Sequence, residues 1–216
     1  AGGSQWCGVL IGSYSNTIGG SASGSRNIIS ANGGVGVRFG GASCSLNVVI
    51  GNYIGLASDG ASIIPGSSQD EGVNFTTWAN NNTIGGSAAG EGNVISGNND
   101  GSSSGRGVYI GIDCYLNTIH GNVIGPRADG TNVANNTQEF GLYLNAAYSN
   151  TIGGATGESG NVISANLGRG IFLTASGCTL NVIRGNYIGP APDGVSFISG
   201  SSQDEGIYLE TSASSN

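Results

Sequence analysis

The chain has 216 residues, of which 42 are glycine and only 9% are charged, and its formal net charge is −7. Because soluble domains average about 25% charged residues and about 7% glycine, this composition excludes an ordinary helical protein. The 38% of hydrophobic residues also excludes a disordered chain. No apolar run approaches the ~18 residues of a membrane-spanning helix, so no membrane span is expected. The negative charge argues against nucleic acid as a partner.

The sequence repeats internally, and the repeat dominates its organisation. The pentapeptide NTIGG begins at residues 16, 82 and 150. Each repeat divides into two related halves, and each half contains three short segments with alternating apolar residues. This pattern is typical of a solenoid, in which every repeat packs on its neighbours. It predicts a single domain over residues 1–216, built of three units of two turns that begin near residues 8, 72 and 141.

In chain order, every half begins with a Gly-apolar-x-apolar segment. These first segments cover residues 8–11, 36–39, 72–75, 107–110, 141–144, 170–173 and 206–209. The second and third segments of each half both begin with Asn-x-apolar. The second segments begin at Asn16, Asn47, Asn82, Asn117, Asn150 and Asn181. The third segments begin at Asn27, Asn52, Asn93, Asn122, Asn161 and Asn186.

Segments this short cannot bury an apolar face in separate hairpins, whereas coiling the chain stacks them turn on turn at about 4.8 Å. We therefore predict an all-β fold, a right-handed parallel β-helix (solenoid) of about six three-stranded turns without a capping helix. Alternation directs Val9 and Ile11 of the first turn into the core, and it does the same for Ile207 and Leu209 of the last segment. The leading asparagines are expected to form two ladders at the corners of the coil, where their amides bond along the axis.

The motifs NTIGG, GNVISGN and GNYIG, the last followed by Asp-Gly, carry a resemblance to a known family. They resemble the repeats of secreted bacterial right-handed parallel β-helix proteins in the pectate-lyase-like superfamily, over residues 8–210. The resemblance implies the fold and a secreted protein at the cell surface or outside the cell. It does not select an activity, because the superfamily contains polysaccharide lyases, hydrolases and epimerases beside adhesins and surface proteins without catalysis.

The four cysteines are expected to be free thiols. Cys44, Cys114 and Cys178 each lie three residues before a ladder asparagine, so they share one column in alternate turns. Two turns are about 9.6 Å apart, which exceeds the ~7 Å limit for a disulfide. Cys7 is expected to precede the first strand, and an intermolecular disulfide through it stays open.

Three long loops, at residues 56–71, 126–140 and 190–205, follow alternate third segments and share an Asp-Gly pair. Asp-Gly most simply makes a turn. We expect no cofactor and no metal, although paired carboxylates suit calcium and leave a calcium site possible; the alternative is a solvated acidic loop. The candidate calcium ligands are Asp59, Asp70 and Glu71, with a second copy at Asp193, Asp204 and Glu205.

The residue pattern gives little support to catalysis. The single histidine, His120, lies between a second and a third segment, and no Ser-His-Asp or Cys-His set can be assembled from the spacing. Arg38 and Asp113 are each isolated from a carboxylate cluster. We therefore expect no enzymatic activity.

Aromatic side chains are expected to form a row on the outward face of the first segments. Rings at steps of ~4.8 Å can stack sugar rings or pack against another protein. The alternative is that aromatic residues simply favour strand surfaces. The row consists of Tyr109, Tyr143, Phe172 and Tyr208.

Both ends of such a coil are expected to expose strand edges. We hypothesise that residues 206–209 pair with residues 6–11 of a neighbouring copy, as a contact that propagates into a head-to-tail homopolymer. The alternative is that the chain is a fragment of a longer protein. The expected interface residues are Trp6, Cys7, Val9, Ile11, Ile207 and Leu209.

The sequence thus predicts a non-enzymatic extracellular structural protein, a β-helix subunit that stacks end to end into a filament or surface fibre. Its scarce charge and its lack of lysine fit a material that assembles, because weak charge lowers solubility. The second interpretation is a β-helix that binds or processes polysaccharides, in the manner of a lyase or an epimerase, with glycans as its partners.

Overall fold

A computed structural model describes residues 5–99, 101, 104–133, 138–210 and 212–216, without the side chain of Ser23. In these ranges the chain forms short strands and two single 3-10 turns, Ser23–Ser25 and Gly157–Ser159. Of the residues described, none belongs to a helix with the length and hydropathy needed to cross a lipid bilayer. The strands are β1 (Cys7–Ile11), β2 (Thr17–Gly19), β3 (Ile28–Ile29), β4 (Val35–Phe39), β5 (Val48–Ile50), β6 (Tyr53–Ile54), β7 (Glu71–Phe75), β8 (Thr83–Ile84), β9 (Val94–Ile95), β10 (Arg106–Ile110), β11 (Thr118–Ile119), β12 (Val123–Ile124), β13 (Phe140–Asn145), β14 (Thr151–Gly153), β15 (Val162–Ile163), β16 (Arg169–Thr174), β17 (Val182–Arg184), β18 (Tyr187–Ile188) and β19 (Glu205–Leu209).

Every third strand pairs in parallel with its equivalent one turn later. The first sheet has seven strands, in the order β1-β4-β7-β10-β13-β16-β19. The second sheet has six strands, in the order β2-β5-β8-β11-β14-β17. The third sheet also has six strands, in the order β3-β6-β9-β12-β15-β18. The prediction of a right-handed parallel β-helix of about six turns is therefore confirmed, and its hand is the one that parallel crossovers favour.

The core runs along the axis of the coil as columns of like residues. Val37, Val73 and Val108 are fully buried in one column of the first sheet. Phe39 and Phe75 stack with ring centroids 4.4 Å apart. The predicted cysteine column is confirmed, because its members are fully buried and the cysteines among them are free thiols. That column contains Cys44, Ala79, Cys114, Ala147 and Cys178.

The two predicted asparagine ladders are confirmed. At a typical step, the backbone N–H and the Nδ2 of Asn117 both donate to Oδ1 of Asn150, at 3.0 and 3.1 Å. The same Nδ2 also donates to the carbonyl oxygen of Ala79, at 3.0 Å. Each ladder thus satisfies buried polar groups of the corner by bonds that run from turn to turn. The first ladder continues from Asn181 to Asn216.

A third ladder, which we did not predict, closes the remaining corner and alternates glutamine with asparagine. Gln69 Nε2 donates to Asn98 Oδ1 at 2.7 Å, and Asn98 Nδ2 donates to Gln138 Oε1 at 3.2 Å. A readable signal existed, because each glutamine stands three residues before a strand glycine and each asparagine three residues after a core isoleucine. The full ladder runs Gln5, Asn32, Gln69, Asn98, Gln138, Asn166 and Gln203.

The strands of the first sheet begin before the glycine that we expected to open them. Cys7 is the first residue of β1 and pairs with Val35, so the expectation that it precedes the strand is wrong. Glu71 and Glu205 likewise open β7 and β19, although we assigned them to loops. The reason is register: each of these residues pairs with its equivalent in the adjoining turn, which extends the ladder by one or more residues.

Strand glycines of the first sheet are required by close packing between turns. A Cβ added at Gly107 would lie 2.6 Å from the carbonyl oxygen of Gly141, and it would also overlap the Gln138 amide. The equivalent glycines from Gly8 to Gly170 would meet the next carbonyl oxygen at 2.5–2.7 Å. At Gly206 the nearest atom is a methyl group of Ile188, at 3.3 Å.

The asparagine ladders yield a first prediction. Asn122→Ala should lower the free energy of unfolding by about 3 kcal/mol, because it leaves buried partners without hydrogen bonds. Asn122 accepts from Asn93 N and Nδ2, at 3.0 and 2.9 Å, and donates to Ile84 O at 2.9 Å. Asn27→Ala is the control, because Asn27 belongs to the same ladder but is exposed. Unfolding in guanidinium measures the free energy of unfolding of both variants. If the two variants lose equal amounts of it, burial does not decide how much a ladder asparagine contributes.

The glycine column yields a second prediction. Gly107→Ala should lower the free energy of unfolding by about 3 kcal/mol, because the added methyl group overpacks the corner between two turns. Gly206→Ala in the same column should change it by less than about 0.5 kcal/mol. Thermal unfolding of the two variants beside the unsubstituted chain measures the difference. If Gly107→Ala leaves the free energy of unfolding unchanged, the two turns can move apart to accommodate the methyl group.

Candidate functional site

The four aromatic residues singled out from the sequence lie in one row on the outer face of the first sheet, as predicted. Successive ring centroids of Tyr109, Tyr143, Phe172 and Tyr208 are 5.6, 5.0 and 5.5 Å apart. Phe140 joins the row from its side, 5.2 Å from Tyr143 and 5.7 Å from Phe172. We call these five residues the aromatic column.

Two arginines lie over the aromatic column. The Arg106 guanidinium is 5.0 Å from the ring centroid of Tyr109 and 4.9 Å from that of Tyr143. The Arg169 guanidinium is 4.7 Å from Phe172 and 4.6 Å from Tyr208. Each such cation–π contact contributes about 0.5–1 kcal/mol at an exposed site. These contacts join β10 to β13 and β16 to β19.

Both arginines are held by glutamates of the same sheet. Arg106 Nη1 lies 2.5 Å from Glu71 Oε1, and Arg169 Nε lies 3.2 Å from Glu205 Oε2. Sequence reasoning missed Arg106 and Arg169, although both directly precede a strand glycine, as Glu71 and Glu205 do. In a parallel sheet without register shifts, residues at that position must become neighbours.

The contacts of the aromatic column bear on the glycan interpretation. Stacking a sugar requires a free ring face, but Tyr143 and Phe172 face each other with ring planes only 25° apart. The guanidinium groups cover further ring surface, and Asn145 Nδ2 donates to the hydroxyl of Tyr109 at 3.2 Å. Burial also raises the pKa of the Tyr143 hydroxyl. The facing rings of Tyr143 and Phe172 therefore cover each other, and these contacts favour a role in joining turns over sugar binding.

The fourth residue of each long loop is an aspartate that closes a tight turn. Asp59 Oδ1 accepts hydrogen bonds from the backbone N–H groups of Ala61 and Ser62, both at 2.9 Å, and Oδ2 accepts from the Ser62 hydroxyl at 2.7 Å. These bonds lower the pKa of Asp59 to about 2. Asp193 makes the same turn: it accepts from the Ser196 hydroxyl and from the backbone N–H groups of Ser196 and Val195, and these bonds lower its pKa. The expectation that Asp-Gly makes a turn is confirmed.

The candidate calcium ligands do not form one cluster in the part of the chain that the structure describes. Asp59 serves its own turn, whereas Glu71 lies in β7 and pairs with Arg106. In the second copy, Glu205 lies in β19 and pairs with Arg169. Within the described ranges, no group of three or more His, Cys, Asp or Glu side chains is placed to hold a metal ion. Asp59, Glu71 and Glu205 thus each make turn or strand contacts of their own.

Of the residues weighed for catalysis, His120 and Arg38 lie in different turns of the coil. His120 is half-buried between β11 and β12, and burial lowers its pKa, an effect that the charge of Glu91 opposes. The Arg38 guanidinium lies 4.9 Å from the ring centroid of Trp6, and Arg38 has Leu10 and Asn74 as its strand neighbours, as predicted. Arg38 thus packs against an aromatic ring of the outermost turn.

The outermost turns expose residues that are buried elsewhere in the coil. Ile207 and Leu209 of β19 are 42% and 47% exposed, whereas Ile171 and Leu173 at the equivalent positions of β16 are fully buried. At the other end, Trp6 is 54% exposed. Val9 and the Cys7 thiol are half-buried, and Ile11 is buried. The Cys7 thiol donates to the Val9 carbonyl, and desolvation raises its pKa.

No protein-family model, curated protein or solved structure matches this chain. The fold is therefore assigned from the strand pairing alone, which gives three parallel strands per turn. The resemblance to secreted bacterial β-helix repeats extends no further than that fold, and membership of the pectate-lyase-like superfamily stays a prediction.

The aspartate turns yield a third prediction, which concerns acidic pH. The pKa of Asp59 lies near 2 rather than at its ordinary value of 3.8, so its contribution to stability is present above pH 4 and is lost as the pH falls through 2. Ser62→Ala removes one of the hydrogen bonds and should raise the pKa of Asp59 toward its ordinary value.

Carbon-13 NMR titration of the side-chain carboxyl groups measures this change. Ser196→Ala is the matched control, because it should raise the pKa of Asp193 and leave that of Asp59 unchanged. An Asp59 pKa near 3.8 in the unsubstituted chain would show that the turn does not hold the carboxylate.

Proposed function

We propose that this chain is a structural β-helix subunit, without enzymatic activity, that joins end to end with further copies into a filament outside the cell. The observation that carries the proposal is that every turn repeats one geometry: β19 keeps full parallel register with β16, and Ile207 and Leu209 stand in columns that are buried in every interior turn. A further copy stacked in that register would bury the same columns, and this burial would supply the main driving force for assembly.

The two outermost turns are suited to each other because every turn is a copy of the same geometry. β1 presents Val9 and Ile11 in the columns that contain Ile207 and Leu209. Strand edges that keep unpaired backbone groups add further strands readily. A contact between opposite ends of two copies is head-to-tail, and it repeats without closing when successive copies share one axis.

The composition and side-chain contacts support a structural role. The polar side chains of the three corners are engaged in ladders that run from turn to turn. The aromatic column and its arginines contact one another as well, which leaves few groups for substrate chemistry. An extracellular location is supported by the scarcity of charge and by the resemblance to secreted β-helix repeats.

The proposal yields a fourth prediction. Gly206→Ala should leave the isolated chain folded but weaken assembly, because a methyl group there would press on the backbone carbonyl of the next copy as it does at interior positions. An overpacking cost of about 1–3 kcal/mol per contact raises the concentration needed for assembly roughly tenfold to a hundredfold. Sedimentation velocity over a concentration series, with negative-stain microscopy, measures this threshold.

Gly157→Ala is the matched control, because a Cβ added at Gly157 meets nothing within 4 Å. It should assemble like the unsubstituted chain. A chain that stays monomeric at every concentration would overturn the proposal, and so would filaments that form equally well with alanine at position 206.

A further inference from the structure

Two leucines of interior turns are exposed at one corner of the coil, in a backbone conformation that leucine disfavours. Leu46 and Leu116 each precede an asparagine of the first ladder, and they are 61% and 52% exposed. Their φ angles are 56° and 55°, in the left-handed region that costs most residues about 1–2 kcal/mol and suits glycine or asparagine better. In the turns that follow them, Asn81 and Ser149 hold the same position with φ of 53° and 55°. The corner therefore folds without leucine, and the two leucines require another explanation.

The leucines belong to an uncharged strip, which we call the corner strip. It consists of the two residues before each asparagine of the first ladder and the one residue after it. In the four turns that contain β5, β8, β11 and β14, these residues are exposed or half-buried and none is charged, although the chain carries a net charge of −7. A second negatively charged copy can therefore approach along this strip with little repulsion. The residues of these four turns are Ser45, Leu46 and Val48; Asn80, Asn81 and Thr83; Tyr115, Leu116 and Thr118; and Tyr148, Ser149 and Thr151.

The corner strip is regular along the axis, because the same bonds recur from turn to turn. The backbone N–H of Leu46 donates to the carbonyl oxygen of Asn81 at 3.1 Å, and that of Asn81 donates to the carbonyl oxygen of Tyr115 at 3.2 Å. The rings of Tyr115 and Tyr148 stack with centroids 5.2 Å apart and planes 1° apart. A rigid partner that contacts every turn must share the repeat of about 4.8 Å, and a second copy of this coil has that repeat.

Leucine alternates with a smaller residue along the strip, in the order Leu46, Asn81, Leu116 and Ser149 in successive turns. The two leucines are two turns apart, about 9.6 Å, which leaves room between them for one leucine of another copy. Asn81 Nδ2 donates to Asn80 Oδ1 at 2.8 Å, which holds its amide along its own turn. Interleaved leucines of two copies would be spaced at about 4.8 Å, the distance at which successive turns already pack within the coil.

This alternation selects an antiparallel pair of coils. A two-fold axis parallel to the coil places every turn opposite the same turn of the other copy, so leucine would meet leucine. A two-fold axis across the coil reverses one copy, and it can place each leucine opposite a smaller residue in both directions.

The tyrosines of the corner strip select the register of the antiparallel pair. With the β8 turn opposite the β11 turn, every leucine and every tyrosine of the four turns lies opposite a smaller residue. The other registers that keep leucine opposite a smaller residue are shifted by two turns, and they bring Tyr115 opposite Tyr148 or opposite Tyr14. The matched pairs are Leu116 with Asn81, Leu46 with Ser149, Tyr115 with Asn80 and Tyr148 with Ser45.

From these matches we infer that two copies pack side by side and antiparallel along the corner strip, in this register. The contact uses the side of the coil, so it goes beyond the proposed end-to-end assembly and does not require it. Six turns of about 4.8 Å and four residues of about 3.3 Å give a strip of roughly 380 Å² on each copy. A standard interface takes about 800 Å² from each partner, so this pair is weak and has to be trapped by cross-linking.

Thiol cross-linking tests the arrangement and provides the fifth prediction. The chain carries Ser45→Cys and Ser149→Cys, together with Cys7→Ser because the other native cysteines are buried. In the antiparallel pair, position 45 lies opposite Tyr148 of the other copy and beside its position 149. A bifunctional maleimide that reaches about 10 Å, the separation of packed sheets, should therefore yield covalent dimers. Within one chain the two positions are three turns apart, about 14 Å, which this reagent does not span.

The single variants Ser45→Cys and Ser149→Cys, in the same background, are the controls for direction. In the antiparallel pair each new thiol lies three turns from its own counterpart, so both single variants should stay uncross-linked. In a parallel pair each thiol would face its counterpart. Dimers from a single variant would therefore overturn the inference, and so would the absence of dimers from the double variant.

Leu116→Asn, added to the double-cysteine chain, tests the leucine contact. Asparagine tolerates the left-handed backbone, so the temperature of thermal unfolding should not fall. The yield of dimer should fall roughly tenfold, because each pair loses two leucine contacts. Leu167→Asn is the matched control, since Leu167 is exposed at another corner, and it should leave the yield unchanged. If Leu116→Asn also leaves the yield unchanged, the leucines do not interleave and the inferred register is wrong.

Discussion

The structure depends on the satisfaction of polar backbone groups at the corners of a coil that climbs only about 4.8 Å per turn. Amide side chains meet this requirement because each carries both donors and an acceptor, so that one residue can bond to the turn above and to the turn below. Asn117 does so with Asn82, Asn150 and the carbonyl of Ala79. The abundance of asparagine is thus a consequence of the small axial rise.

The same small rise determines what the outer surface can do. Side chains at one strand position are forced into contact along the axis, so aromatic rings stack and arginines lie between rings and glutamates. Such contacts stabilise the turns that they connect, and they occupy the ring faces that a ligand would need. A surface of this kind suits a scaffold better than a binding cleft.

The rise also decides what happens at the outermost turns. A strand such as β19 is fully paired on one side and presents the same geometry on the other, including a glycine that leaves space for a neighbouring carbonyl oxygen. Under the proposed assembly, the same periodicity would place each column of one copy over the matching column of the next.

The sequence by itself determined the number of turns, the core columns, two of the three ladders and the free cysteine column, because these features depend only on spacing within each half-repeat. The tertiary structure revealed the third ladder, because loops of unequal length, as between Asn98 and Gln138, obscure the regular spacing of its asparagines and glutamines. It also decided that Glu71 bonds Arg106 rather than joining Asp59 around an ion, because the register between strands, and not proximity along the chain, selects neighbours. Whether a ring face is free is likewise a property of the adjoining turn, which no single repeat contains.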